Sequence, residues 1–375
     1  LHSLRRRQRQ MCIRDRQRAE ITTLSGRTVH TDSTYDASAR QTLKLSGRIL
    51  ELSGNTDTDF NGNLTLTLLD ADTSQITLGR NIDGTEGRRI VFDTHGSLLT
   101  SVADSIKNGE WTTTLTIPQN IADNYRPATL SLYAAANGKH ATGIFRNLYI
   151  TGVDEYAATD TVPPVIEQLY LNTPDFSNGA TVGSSPTLFA VISDETALNL
   201  SSYGIGRTMT IRIDNDAAMN DVAQRFAPTA AGDHRGTITY PLQELADGTH
   251  TLTLTIFDAA GNRTESTIEF TVDSRIGPEI IDIYTDANPA TAQANFYITH
   301  NSPDANLTAT ICVYNLLGHM VWSTTQRVAS SMTTTAPITW RLNDNAGRRV
   351  SRGIYIYRAE INHNGKRTLS LSLIH

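Results

Sequence analysis

The sequence predicts an all-β protein built of three tandem β-sandwich modules. Three observations carry that prediction. Residues 249–272 read as a hairpin: Leu252, Leu254 and Ile256 alternate with Thr253, Thr255 and Phe257, Asp258-Ala-Ala-Gly261-Asn262 supplies turn chemistry, and 266–272 alternates again. A strand of the same style recurs upstream at Leu64-Thr-Leu-Thr-Leu-Leu-Asp70 and downstream at 307–315, where Gly318 closes it. Helical periodicity is almost absent, and only 219–226 has the pattern of a short helix.

The two ends are expected to be foreign to the protein. Met11-Cys-Ile-Arg-Asp-Arg16 resembles the in-frame translation of a sequencing adapter, and Leu371-Ser-Leu-Ile-His375 resembles the same adapter read from the opposite strand. Residues 1–16 and 371–375 are therefore set apart as adapter-derived. The basic run Leu4-Arg-Arg-Arg-Gln-Arg9 falls with them, and no apolar stretch follows it to make a signal peptide.

Without these ends, 26 Lys and Arg face 37 Asp and Glu, a net charge of −11 against −6 for the full chain. So acidic a chain is a poor ligand for nucleic acid. There is no run of apolar residues long enough for a membrane helix. Cys312 is the one remaining cysteine, so neither an internal disulfide nor a cysteine-based zinc site is open to it. Thr-rich alternation punctuated by glycine, with few charges, suits half-buried pleated surfaces.

In chain order, 17–40 is weakly patterned and reads as the end of a preceding domain and a linker. The first module, 41–154, has strands expected at 42–52, 64–70, 89–93, 110–117, 129–135 and 148–153. Asp57-Thr-Asp59-Phe-Asn61-Gly62 resembles the opening of a calcium loop, but the twelfth position is Leu68, not an acid, so a polar loop is expected. Thr159-Asp-Thr-Val-Pro163-Pro164 marks the boundary to the second module, 155–275, with strands at 165–171, 187–193, 209–214 and 236–240 ahead of the hairpin. The third module, 276–370, has strands at 295–299, 307–314, 320–323, 338–341 and 353–361. Gly353 launches the last of these and is expected at positive φ or a bulge, so that Gly353→Val would cost roughly 1–3 kcal/mol.

No residue set satisfies the requirements of a catalytic, cofactor-binding or metal centre. Cys312 lies mid-strand on the face of Thr308, Thr310 and Tyr314, with no helix to lower its pKa, and reads as a packed thiol; His319 lies past a turn. His95, His140, His234, His250, His300 and His363 are scattered without metal-ligand spacing. Asp194-Glu195 reads as a turn, because adjacent strand residues point to opposite faces. Tyr355 and Tyr357 alternate with Ile354 and Ile356 and are expected in a strand buried on both faces, with Trp111, Trp322 and Trp340 in cores.

The third module is similar to the FlgD/Vpr Ig-like domain family. Asn288-Pro289, Thr308–Tyr314, Leu317-Gly318-His-Met-Val321, Trp340, Gly347, Val350 and Gly353-Ile-Tyr-Ile-Tyr357 carry the likeness; Trp340-Arg-Leu-Asn-Asp344 departs from the usual Trp-Asp/Asn-Gly. Asp160–Pro164 with Leu169-Tyr-Leu-Asn172, Ile192-Ser-Asp-Glu195, Tyr203-Gly-Ile-Gly206, Tyr240-Pro-Leu242 and Asp258…Gly261-Asn262 resemble the region after the catalytic domain in the type IX secretion sortases, gingipain-like (C25) cysteine peptidases of Bacteroidota. Phe60-Asn-Gly62 and Asn108-Gly-Glu-Trp111 fit that family's preceding module. The resemblance implies three Ig-like modules, the last FlgD-like, forming the C-terminal accessory region of a cell-surface enzyme that trims cargo C-terminal signals and attaches cargo to lipopolysaccharide. It implies contacts with other outer-membrane secretion components and cargo C-terminal domains. The family's catalytic His and Cys would precede residue 17. The alternatives are the Ig-like tail of a type IX cargo, such as an adhesin or another C25 protease, and a glycan-binding module array.

Overall fold

The computed structural model describes residues 17–374 except 80–86, 88, 123–124, 137, 204–205, 215, 217–218, 230–233, 278, 301–305, 330–333 and 364–365. The expected adapter at 1–16 therefore lies outside the described residues. The chain divides into two compact units. One runs to Gln168 and includes Ala190–Ile238 and Thr253–Thr267; the other holds Leu169–Phe189, Thr239–Leu252 and the chain from Ile268. The division thus passes through strands of the second module, which the sequence reads as self-contained.

The first module comprises β1 (Gln17–Leu24), β2 (Arg27–Thr28), β3 (Tyr35–Ala39), β4 (Thr42–Leu50), β5 (Gly62–Leu69), β6 (Thr73–Ile76), β7 (Val91–Thr94), β8 (Leu98–Ile106), β9 (Glu110–Thr116), β10 (Ala128–Ala136) and β11 (Lys139–Val153). Nine strands form one sheet in the order β8-β5-β10-β11-β1-β4-β9, with β2 on β1 and β3 on β11, while β6 and β7 pair separately. The two ends of that order, β8 and β9, are consecutive in sequence. Their turn holds Asn108 and Gly109 at φ 51° and 76°, the two positive values of a type I′ hairpin. The sheet must therefore roll over until its ends meet. Its alternating inward residues fill one core, with Leu43, Leu45, Leu64, Leu66, Leu68 and Leu115 sealed from solvent. Trp111 lies over Gly47, where an added Cβ would come within 2.2 Å of the indole.

Residues 17–40 are not a linker. β1 pairs antiparallel with β4 and parallel with β11, and β3 pairs parallel with β11, so the segment belongs to the sheet. The strand pattern is weak in the sequence because Ala19, Ile21 and Leu24 are few and unevenly spaced among polar residues.

The second module comprises β12 (Val165–Leu171), β13 (Thr181–Val182), β14 (Thr187–Ser193), β15 (Thr210–Ile213), β16 (Asn220–Asp221), β17 (Phe226–Pro228), β18 (Arg235–Pro241), β19 (Gly248–Phe257) and β20 (Arg263–Val272). Their sheets run β12-β14-β18-β17 and β13-β20-β19-β15-β16. The expected helix at 219–226 is one 3-10 turn, Ala223–Arg225, between β16 and β17. So short a segment gains too few hydrogen bonds to offset nucleation, and Phe226 already enters a strand.

The third module comprises β21 (Ile280–Thr285), β22 (Ala294–His300), β23 (Asn306–Asn315), β24 (Met320–Ala329), β25 (Ile338–Trp340), β26 (Tyr355–His363) and β27 (Lys366–Ile374). Sheets β21-β22-β25 and β24-β23-β26-β27 enclose Phe296, Ile298, Ile311, Trp340 and Tyr357. Residues 371–374, expected to be foreign, extend β27 along β26, with Ile374 opposite Tyr355. Only the aromatic side of β26 is sealed: Tyr355 and Tyr357 are buried, Ile356 is half-buried and Ile354, just before the strand, is exposed. The expectation for Gly353 is corrected. It has no positive φ, nothing stands within 4 Å of its Cβ position, and the strand begins two residues later.

Candidate functional site

Among the described residues the one thiol is shielded. Cys312 is 7% exposed in the middle of β23, opposite Ser323 of β24 and Arg358 of β26. Arg358 extends over the Tyr314 ring, and burial together with the Cys312 side chain raises the Tyr314 hydroxyl pKa. His319 is exposed in the hairpin turn, its backbone N–H donating to Asn315 Oδ1 at 2.9 Å. His300, at the end of β22, is fully buried, and burial pulls its pKa down to about 4, so it is neutral at pH 7. Tyr355 and Trp340 pack edge to face at 5.6 Å, Tyr357 and Phe296 lie 4.8 Å apart, and Trp340 Nε1 donates to Asn343 O at 2.9 Å. These rings serve the core.

The loop with a calcium-like opening is closed by protein groups. Asp57, 3% exposed, accepts from Lys139 Nζ at 2.9 Å, from Gln17 Nε2 and from the Asp59 backbone N–H at 3.1 Å. Burial alone would raise its carboxyl. The bonds from Lys139, Gln17 and Asp59 and the lysine charge outweigh burial and hold it below the usual value.

A second acidic cluster is of another kind. Asp194 directly follows β14, Asp258 directly follows β19, and Asp160 lies in the segment leading to β12. The loop after β14 runs beside the end of β19: Asn199 N–H donates to Phe257 O at 2.9 Å and Ala259 N–H to Ala197 O at 2.8 Å. Asn262 Nδ2 donates to Asp160 O at 3.1 Å and to Asp258 Oδ2 at 2.7 Å, drawing in the third carboxylate. One carboxylate oxygen from each of Asp160, Asp194 and Asp258 lies within 4.8 Å of the other two.

Each carboxylate organises its own loop first. Asp194 Oδ1 accepts from the backbone N–H groups of Thr196 and Ala197 and from Thr196 Oγ1, all at 2.9 Å. Asp258 Oδ1 accepts from Gly261 N–H at 2.6 Å and Asn262 N–H at 2.7 Å. Asp160 Oδ1 accepts from Val162 N–H at 3.0 Å, and the Thr196 hydroxyl also lies 2.9 Å from Asp160 Oδ2. These are the local side-chain-to-backbone bonds that make Asp a turn residue. They leave Asp194 Oδ2 buried with no hydrogen-bond partner, in a residue only 5% exposed.

Among the described residues no Lys, Arg or His forms an ion pair with these three carboxylates. Burial raises the Asp194 pKa to about 6, against its hydrogen bonds and with a smaller push from the Asp258 charge. Burial raises Asp258 as well, opposed by Asn262 and Gly261 and reinforced by Asp160. A cleft of about 440 Å³ opens alongside, lined by Arg40, Asp154, Thr159, Asp160, Glu195 and Thr196 among others. In the sequence, Asp194, Asp258 and Asp160 read as separate turn or boundary residues. The signal available was the repetition of a buried-type strand ending in Asp, at Ile192-Ser-Asp194 and Ile256-Phe-Asp258.

Residues 206–274 match the model of the Bacterial Ig-like domain family. Among solved structures, the chain is similar to dimeric latent PorU from Porphyromonas gingivalis, with a TM-score of 0.43 and 23% identity over 95% of this chain and 33% of that one. It thus spans about a third of the PorU chain. It is also similar to a tetra-tandem repeat in the extending region of a large adhesion protein, with a TM-score of 0.23 and 16% identity over 90% of this chain and 72% of that one. No curated protein matches the sequence. No described helix is long and apolar enough to cross a membrane.

Proposed function

We propose that this chain is a non-catalytic accessory region of a larger cell-surface protein of the type IX sortase kind. It positions a catalytic domain and docks onto outer-membrane secretion components and cargo C-terminal domains. The observation that carries the reading is the Bacterial Ig-like match at 206–274 within a chain of successive β-modules. The chemistry agrees. A nucleophile needs an adjacent base and access to substrate, whereas Cys312 is shut inside a sheet and His300 is buried and neutral. The finer assignment rests on the order of short motifs along the sequence, from Phe60-Asn-Gly62 through Asp160–Pro164 to Gly353–Tyr357.

Two measurements test it. The purified chain is expected to leave a cargo tail peptide intact. Thiol-dependent cleavage abolished by Cys312→Ala would overturn the non-catalytic reading. An immobilised chain is expected to retain a purified cargo C-terminal domain, and no retention above a blank surface would overturn the docking role.

A further inference from the structure

The cluster of Asp160, Asp194 and Asp258 has more negative charge than its surroundings compensate. Three carboxylates converge, two of them almost fully buried, and among the described residues no Lys, Arg or His forms an ion pair with any of them. A buried acceptor without a donor forfeits its hydration for nothing in return. Asp194 Oδ2 is such an acceptor, in a residue whose other oxygen already takes three bonds. The loop geometry therefore leaves an oxygen over, and a cation would complete it.

The donor chemistry selects the cation. Every acceptor offered at the centre is oxygen: three carboxylates, with the Thr196 hydroxyl between two of them. Oxygen-only sets suit hard divalent ions, not zinc or copper. Oxygens held about 2.4 Å from one ion, the calcium distance, lie at most about 4.8 Å apart; about 2.1 Å, the magnesium distance, allows only about 4.2 Å. The three oxygens lie within 4.8 Å of one another, inside the calcium limit, and calcium accepts irregular sets of oxygens where magnesium demands an octahedron. The cleft beside Asp160 and Thr196 gives an entry path and room for the waters that complete six to eight ligands.

We propose that Asp160, Asp194 and Asp258 bind one calcium ion, which fastens the 154–164 segment to the loops after β14 and β19. Those loops also reach the first module. Gln119 N–H donates to Ala259 O at 2.9 Å, and Leu200 N–H donates to Leu99 O at 3.0 Å. The ion would therefore fix the segment where the chain leaves β11, using groups 34 to 98 residues apart in sequence. This inference does not depend on the proposed function.

Calorimetric titration of CaCl2 into the full chain, first dialysed against chelator, tests it. One ion per chain is expected, with a dissociation constant on the order of 10⁻⁴–10⁻³ M, the range of extracellular calcium modules. At about 5 mM CaCl2 the melting temperature should rise by roughly 3 °C. Asp194→Asn keeps the Oδ1 acceptor, and Asp160→Asn alters a partly exposed residue, so both should fold with parental circular dichroism. Each should weaken binding at least about tenfold. In chelator, Asp194→Asn should melt above the parent, because it removes an uncompensated charge. No saturable binding up to about 10 mM calcium, binding untouched by both substitutions, or equal affinity for magnesium would each overturn the assignment.

Discussion

Two buried acidic sites in this chain were built from the same residue type and reach opposite electrostatic states. Asp57 sits under Lys139 and Gln17, and its carboxyl is held ionised. Asp194 sits with Asp258 and Asp160, and its carboxyl resists ionisation. Both satisfy turn N–H groups with one oxygen. What differs is the partner of the second oxygen: an ammonium group for Asp57, no protein donor for Asp194. An Asp that shapes a turn can thus be electrostatically finished or unfinished, and the local sequence looks the same in either case.

The sharpest way to break the comparison is Asp57→Ala, which strips the acceptor from Lys139, Gln17 and Asp59 N–H at once. A loss of roughly 2–4 kcal/mol is expected in urea unfolding at pH 7, from charge-assisted bonds and the packing around them. A change under about 0.5 kcal/mol would show that the lysine bridge is only a surface contact.

The pH dependence should differ in sign. Because the native Asp57 carboxyl lies below its unfolded value of 3.8, its contribution is present above that pH and is lost as pH falls further. The native Asp194 carboxyl lies above its unfolded value, at about 6. Both states are protonated below 3.8. As pH rises from there to about 6 only the unfolded chain ionises, so stability falls by up to roughly 3 kcal/mol, with about 1 kcal/mol regained on going from pH 7 to 5. In chelator, Asp194→Asn should flatten that slope. A parent whose stability is level between pH 5 and 7 would contradict the raised carboxyl.

The smallest effect is expected far from both sites. Gly353→Val should shift stability by less than about 0.5 kcal/mol, since the position is open and its φ suits any residue. A larger loss would mean that the pocket beside Trp340 and Tyr355, which Gly353 also lines, does not tolerate a side chain there.

Much of the fold was legible because alternation is local. Strands at 165–171 and 187–193 were placed to the residue, since Val165, Leu188, Ala190 and Ile192 mark the period directly. β8 was missed although Asn108-Gly109, the strongest short hairpin signal, follows it closely; Ser101, Asp104 and Ser105 interrupt its apolar pattern. The acidic cluster was illegible for another reason. Its members stand at 160, 194 and 258, and sheet order brings them together. The Asp57 loop carried the regular spacing of a calcium loop and proved to be closed by Lys139, which is 82 residues away.

The parallel pairs at module edges have a mechanical consequence. In the first module, β1 and β3 run parallel to the last strand, β11, and β13 runs parallel to the end of β20. If the chain is pulled by its two ends, an early strand and a late strand joined in parallel slide past each other. Their hydrogen bonds are then loaded together, in shear, whereas an antiparallel pair pulled from one end opens one bond at a time. Residues 17–40 thereby act as a brake against unravelling, and the module gains resistance to force from its least conspicuous strands.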